Sequence, residues 1–262
     1  MKLDGAVAVV TGGTRGLGRT LAEGLEAQGV RVAAVGRSAG RFSADVSRPE
    51  DVARLKVEVE SELGTPTILI NAAGVFGPIE PIGRVDAEAW IETVMVDAIG
   101  PFLTCRTFVG GMVEQGWGRI VNLSSAASLH PPGALGSAYA TAKTALNQLT
   151  RHLAAELEGT GVTANVIHPG DVKTEMWAEI RDQAKALGPD GEALRQWVAW
   201  VAETGGDPPG KSVELVLRIL GSDVNGRFLW IDDPLQPPVA SWGEASELQP
   251  WREEVAPGND SR

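Results

Sequence analysis

The chain has 262 residues, 43% of them hydrophobic, with 32 glycines, and its 23 basic against 34 acidic side chains leave a formal charge of −11. That length and mix suit one α/β domain with many tight turns, and the acidic balance argues against sequence-independent binding to nucleic acid or to an anionic membrane. The lone Cys105 excludes an internal disulfide, no Cys/His cluster has metal-ligand spacing, and no apolar stretch is long enough to span a bilayer, so no metal and a cytoplasmic location are expected.

In chain order, residues 6–10 form a short Val-rich run that feeds into Thr11-Gly12-Gly13-Thr14-Arg15-Gly16-Leu17-Gly18, after which a helical pattern covers 17–28. Strand, glycine turn and helix is the order that lets a pyrophosphate approach backbone amides at a helix N-terminus, where the helix dipole favours negative charge. A second strand, 31–35, completes a βαβ unit and ends in Gly36-Arg37-Ser38 without an acid. A carboxylate near that place would hold the ribose 2′-hydroxyl of NAD, whereas arginine accommodates the 2′-phosphate of NADP. Two or three of Arg15, Arg37 and Arg41 are therefore expected to converge on one phosphate-binding corner, with NADP as the cofactor.

Between Arg37 and Asp45 there is no room for another crossover helix, so a loop must lead to the strand-like piece 42–46. Its Asp45 and Val46 can offer a carboxylate and an apolar wall to an adenine ring. A helix over 49–63 starts on a proline, and a strand over 67–70 ends in Asn71-Ala72-Ala73-Gly74, whose small residues leave room for a flat ligand at the sheet edge. Residues 90–114 read as one long helix carrying Asp97, and Gly118–Leu123 as a strand ending in Ser124-Ser125.

A Pro- and Gly-rich loop then leads to a helix over 138–158, where Ala142, Ala145, Leu146, Leu149, Leu153 and Leu157 make one apolar stripe. Tyr139 and Lys143 stand four residues apart on that helix and share a face. A nearby cation favours the phenolate and is expected to lower the Tyr139 pKa from about 10 into a usable range. Further on, 175–203 is helical in rhythm and rich in tryptophan (Trp177, Trp197, Trp200), 211–220 is a helix and 227–231 a last strand. From Pro234 to the end the chain is polar and irregular, and Trp242 and Trp251 suggest that part of this tail docks on the body or on a neighbour.

Thr11-Gly12-x-x-x-Gly16-x-Gly18, Asp45-Val46, Asn71-Ala72-Ala73-Gly74, Ser125, Tyr139-x-x-x-Lys143 and Pro169-Gly170-x-Val172-x-Thr174 together resemble the classical short-chain dehydrogenase/reductase family, over about residues 3–232. The resemblance implies a single Rossmann-type domain over 1–233, a doubly wound parallel sheet with helices on both faces, followed by the tail 234–262. It implies that Ser125 binds the substrate oxygen, that Tyr139 passes the proton, and that Lys143 binds the nicotinamide ribose and lowers the tyrosine pKa. Asn71 to Gly74 would support the sheet and flank the cofactor, and Pro169, Gly170, Val172 and Thr174 would hold its nicotinamide end. Residues of about 175–210 would form a substrate lid.

The expected activity is NADP-dependent interconversion of a ketone and a secondary alcohol, as a ketoreductase acting on a bulky apolar or ring-containing carbonyl compound, in a homotetramer or dimer. An NAD-dependent alcohol dehydrogenase is one alternative. A nucleotide-binding regulatory protein with little turnover is another, kept open by Asp97, which stands where the family has an Asn. The spacing from Ser125 to Tyr139 is one residue longer than usual, leaving Ser124 as a fallback. The lid tryptophans either meet the substrate or pack the lid onto the body. His130 and Phe76 either line the same cleft or pack as ordinary loop residues.

Overall fold

The computed structural model describes residues 3–130, 133–233 and 235. Seven parallel strands form one sheet: β1 (Val7–Thr11), β2 (Arg31–Gly36), β3 (Phe42–Ser43), β4 (Ile68–Asn71), β5 (Gly118–Leu123), β6 (Val162–His168) and β7 (Phe228–Trp230). Their order across the sheet is β3-β2-β1-β4-β5-β6-β7. Chain order therefore reverses between β1 and β4, and a crevice opens there at the strands' C-terminal ends.

The helices are α1 (Gly16–Glu26), α2 (Pro49–Glu62), α3 (Ala87–Val94), α4 (Gly100–Glu114), α5 (Ser137–Glu156), α6 (Glu175–Ala184), α7 (Glu192–Thr204) and α8 (Pro209–Leu220). Alternate strand side chains sort into two cores. Val9, Leu69, Ile120 and Ala164 pack with Leu55, Phe108, Met112 and Leu153 of α2, α4 and α5, while Ala8, Ile70, Val121 and Ile167 pack with Leu21, Leu25, Leu215 and Ile219 of α1 and α8. Covering both faces explains why the inner strands are apolar without alternation. No helix among the described residues is long and apolar enough to cross a membrane.

Three segments depart from the sequence reading. The expected helix over 90–114 begins earlier, at Ala87, and is interrupted by a π-helical turn over Met95–Ile99 that carries Asp97. Strand β6 was not expected from the sequence, because Thr163, Asn165 and His168 break its apolar run. Asn165 is paid for locally: its Nδ2 donates to the Val224 carbonyl at 2.7 Å and its Oδ1 accepts from the Arg227 amide at 3.1 Å. The lid region divides into α6 and α7 around a 3₁₀ turn at Pro189–Gly191. The short link from β2 to β3 is a loop, as expected, and the tail beyond Asp233, with Trp242 and Trp251, lies outside the described residues except for Leu235.

Candidate active site

A cleft of about 440 Å³ lies at the C-terminal edge of β1, β2, β4 and β5. Its floor is the turn from β1 into α1. Gly12 has φ +66 and a Cβ there would come within 2.8 Å of the Ala73 backbone; at Gly18 a Cβ would meet the Gly12 carbonyl oxygen. Side chains at these two positions would push the two turns apart and fill the approach to the helix N-terminus. Thr11 is buried and its Oγ1 accepts from the Ala73 amide at 3.2 Å, so it ties the turns together instead of facing the cleft.

Gly12, Thr14, Arg15, Gly16, Leu17 and Gly18 line the cleft, as do Arg37, Ser38, Asp45 and Val46 at its far corner. Arg41 does not: it pairs with Glu62. Of the two or three arginines expected to converge, Arg15 and Arg37 border the cleft, while Arg41 follows the loop onto the α2 side. Arg15 is exposed, and Arg37 lies 3.6 Å from Glu92 in a solvent-exposed pair. Asp45 spends one carboxylate oxygen on the Ser47 amide at 3.0 Å, which turns the chain into α2.

Ala72, Ala73 and Gly74 line the middle of the cleft, and Pro169, Val172 and Thr174 its other wall. Asn71 sits behind it, fully engaged: its Nδ2 donates to Asn122 Oδ1 at 2.8 Å and its Oδ1 accepts from Thr104 at 2.7 Å. Asn122 in turn donates to Thr150 at 2.8 Å. This buried ladder joins β4, β5, α4 and α5, and each member is costly to remove because its partners would be left unpaired. Gly170 also stands behind the wall, with φ +82, where a Cβ would run into Asp207 and Ile231 at 2.8 Å. Thr174 caps α6 by accepting from the Trp177 amide at 3.5 Å.

The reactive corner is built on α5. Ser125 acts on the Tyr139 hydroxyl, drawing its pKa down, and also caps the turn after β5 by accepting from the Ala127 amide at 3.2 Å. Ser124, the fallback, has its Oγ 3.3 Å from Ser128 Oγ and 3.4 Å from the Lys143 carbonyl, and it lines the cleft where Ser125 does not. Ser125 is the serine that acts on the tyrosine hydroxyl. The Lys143 ammonium lies 5.4 Å from the centre of the Tyr139 ring, donates to the Leu123 carbonyl at 3.0 Å and stands 3.0 Å from Asp97 Oδ2. Asp97 is wholly buried, and its Oδ1 accepts from the Val75 amide at 2.8 Å.

This geometry changes the expected electrostatics. Burial raises the Tyr139 hydroxyl above its ordinary pKa; Lys143 and the Ser125 bond pull it down, but the Asp97 and Asp171 charges push it up, and the net direction is upward. The expectation of a lowered tyrosine is overturned because burial of the phenol outweighs the pull of Lys143, and the Asp97 charge adds to it. Burial raises Asp97 as well, against the pull of Lys143. Burial lowers Lys143, but Asp97 and Tyr139 outweigh it, so the ammonium form is kept.

On the open side of Tyr139, Phe76 stacks on the ring with centroids 4.7 Å apart, and it belongs to a third apolar cluster with Ile79, Leu135, Trp177, Trp197 and Trp200. The lid tryptophans thus pack the lid together and onto the loop bearing Phe76. Asp171, between Gly170 and Val172, is a group the sequence reading passed over. Its Oδ1 accepts from Trp197 Nε1 at 2.8 Å and its amide donates to Asp207 at 2.8 Å, so it fastens α7 to the segment after β6. Burial, with Asp207 adding to it, raises its pKa to about 6. The sole signal in the sequence was a carboxylate at the unspecified position of Pro-Gly-x-Val. His168 was missed with its strand; burial lowers its pKa to about 3, and its Nδ1 accepts from the Ala126 amide at 3.3 Å, next to Ser125. His130 stacks on Trp230, with centroids 5.7 Å apart, and so belongs to the packing around β7. No group of three or more His, Cys, Asp or Glu side chains that could hold a metal ion occurs among the described residues.

The family model described as short chain dehydrogenase matches residues 6–185. The chain is 32% identical over 254 residues to D-threitol dehydrogenase of Mycolicibacterium smegmatis, covering 88% of this chain and 93% of that one. It is also 32% identical over 198 residues to a short chain dehydrogenase of Pseudocercospora fijiensis, covering 68% of this chain and 63% of that longer protein. Among solved structures it resembles Pseudomonas aeruginosa RhlG in an NADP active-site complex, with a TM-score of 0.74 and 25% identity over 88% of this chain and 96% of that one.

Proposed function

This chain belongs to the short-chain dehydrogenase/reductase family of oxidoreductases, and from that premise we propose that it interconverts a ketone and a secondary alcohol with NADP as cofactor. One observation carries the reading: Tyr139, with Ser125 acting on its hydroxyl and Lys143 one helical turn away, lines a glycine-floored cleft.

The cleft fits a dinucleotide. Gly12, Gly16 and Gly18 leave space over the N-terminus of α1 for a pyrophosphate. Val46, Ala72 and Ala73 would flank the adenosine and ribose, and Pro169, Val172 and Thr174 the nicotinamide end. When bound, the nicotinamide supplies or accepts the hydride. The chain's own work is to polarise and to move a proton. Ser125 would hold the substrate oxygen, and the Tyr139 O–H would give its proton to that oxygen in reduction or take one back in oxidation. Lys143 would hold the nicotinamide ribose.

Support for NADP comes from the end of β2. A side chain at Gly36 would meet the Ala39 carbonyl oxygen and come within 2.7 Å of Thr14 Oγ1, so an acid there has no room, while Arg15 and Arg37 border the same corner. The pairing of Arg37 with Glu92 favours a second reading, in which that arginine is partly neutralised and NAD serves instead. Phe76, stacked on the Tyr139 ring, supports a bulky apolar or ring-containing carbonyl substrate. We also propose a homo-oligomer, a dimer or tetramer, because Ile91, Phe102 and Val113 are exposed on α3 and α4, at 56%, 43% and 40%. Fluorescence titration with NADPH and NADH, followed by nicotinamide absorbance with a panel of bulky ketones, tests the reading. Tight NADPH binding with turnover is expected; preference for NADH would overturn the cofactor assignment alone.

A further inference from the structure

The chemistry proposed above needs a tyrosine and a lysine, and this chain adds a buried carboxylate. Asp97 reaches the site because the π turn at Met95–Ile99 shifts the register of the long helix by one residue, turning that position inward between Val75 and Lys143. A Cβ at Gly74 would stand 3.1 Å from Asp97 Oδ2, and Gly74 lines the cleft, so the carboxylate lies directly behind the cleft wall. With Asp97 at 0% exposure and Lys143 at 5%, water screens neither charge.

We propose that Asp97 is a positioning residue that clamps the Lys143 ammonium and cancels its pull on Tyr139, holding the tyrosine as a proton donor and so fitting the site to carbonyl reduction. The proposal rests on the reaction read above for Tyr139, and it deepens that reading by assigning the direction. In that direction the phenolic O–H bond breaks as an O–H bond forms on the substrate oxygen, while the hydride reaches the substrate carbon from the reduced nicotinamide; the phenolate left behind regains a proton from solvent. The groups acting on the tyrosine are Lys143 on α5, Asp97 on the π turn, Ser125 after β5 and Asp171 after β6. Two of the three charges are negative. Oxidation, which needs the phenolate first, should then require alkaline conditions.

Tyr139 is the only tyrosine in the chain, so tyrosinate absorbance reads this residue alone, with no cofactor or substrate present. The experiment is a pH titration of the full chain in the ultraviolet, with circular dichroism recorded at each pH so that only the folded range counts. In the wild type, the midpoint of tyrosinate formation should lie above about pH 10, the ordinary phenol value. In Asp97→Asn the midpoint should fall by about one pH unit, the scale on which a neighbouring charge moves a titration, and the alkaline limb of alcohol oxidation should move with it. A wild-type midpoint below the ordinary phenol value overturns the proposal, and so does an unchanged midpoint in the variant. If Asp97→Asn does not fold, a low wild-type midpoint still overturns it. Failure of the enzymatic reading shows separately, as turnover that survives Tyr139→Phe.

Discussion

The two sides of the cleft are built by different physics. On the nucleotide side, the turns after β1 and β4 are shaped by what is missing: glycines and alanines that let backbone approach backbone, with the polar load carried by the ladder Asn71, Asn122, Thr104 and Thr150 behind them. On the substrate side, the segment after β6 and the helices α6 and α7 are held by large side chains, Phe76, Trp177, Trp197 and Trp200, and by carboxylates with shifted titration. Changes on the first side should register in ligand affinity, and changes on the second in stability and pH dependence. Tyr139 stands at the seam and should register in rate.

The largest effect expected is at that seam. Tyr139→Phe keeps the ring against Phe76 but removes the only hydroxyl placed to pass a proton, and turnover should fall by about 10²–10⁴ with NADPH affinity little changed. Steady-state rates beside a binding titration check both halves of that statement. Next, Arg37→Asp places a carboxylate where a 2′-phosphate is proposed to lie; NADPH affinity should drop by roughly ten- to a hundredfold while NADH affinity holds or improves, read by fluorescence titration. A variant that loses both cofactors equally would break the division between affinity on one side and stability on the other.

On the lid side, Asp171→Asn tests the cost of a buried charge. The folded pKa of about 6 lies above the ordinary carboxylate value of 3.8, so the stability Asp171 contributes is fully present below that value and is lost as pH rises through 6. The variant keeps an acceptor for Trp197 and should be more stable than wild type near pH 7 by roughly 1–3 kcal/mol, with the gain vanishing below about pH 4. Thermal melts across that range decide it. His168 tilts the wild-type profile the other way: its pKa is pulled down to about 3, so its contribution is present above the unfolded value of 6.5 and fades as pH falls. The smallest effect is expected for Trp197→Phe, which removes the bond to Asp171 while keeping most of the apolar volume, at a cost of about 1 kcal/mol in the same melts. A loss of cofactor affinity in that variant would blur the comparison.

The nucleotide side was legible in the sequence because its requirements are local. Gly12, Gly16 and Gly18 sit at fixed spacings along one turn, β1 and β4 are unbroken apolar runs, and Tyr139 and Lys143 share a face by helical spacing alone. The substrate side was not, because its partners come together only across the fold. Asp171 is an ordinary carboxylate until Trp197, 26 residues later, donates to it. His168 and β6 stayed hidden because buried polar side chains, among them Asn165 with its partners Val224 and Arg227 far along the chain, masked the apolar pattern.

The sequence by itself determined the fold family, the order of strand and helix over most of the chain, and the helical spacing that sets Lys143 beside Tyr139. Only the tertiary structure decided what charge that corner carries. Spacing places Lys143 beside Tyr139, but the net field at the phenol depends on burial and on every charge within reach, and Asp97 comes within 3.0 Å of the lysine through a π turn that the sequence pattern did not reveal. Coulomb energies are set by distance and local dielectric, and both are properties of the packed molecule.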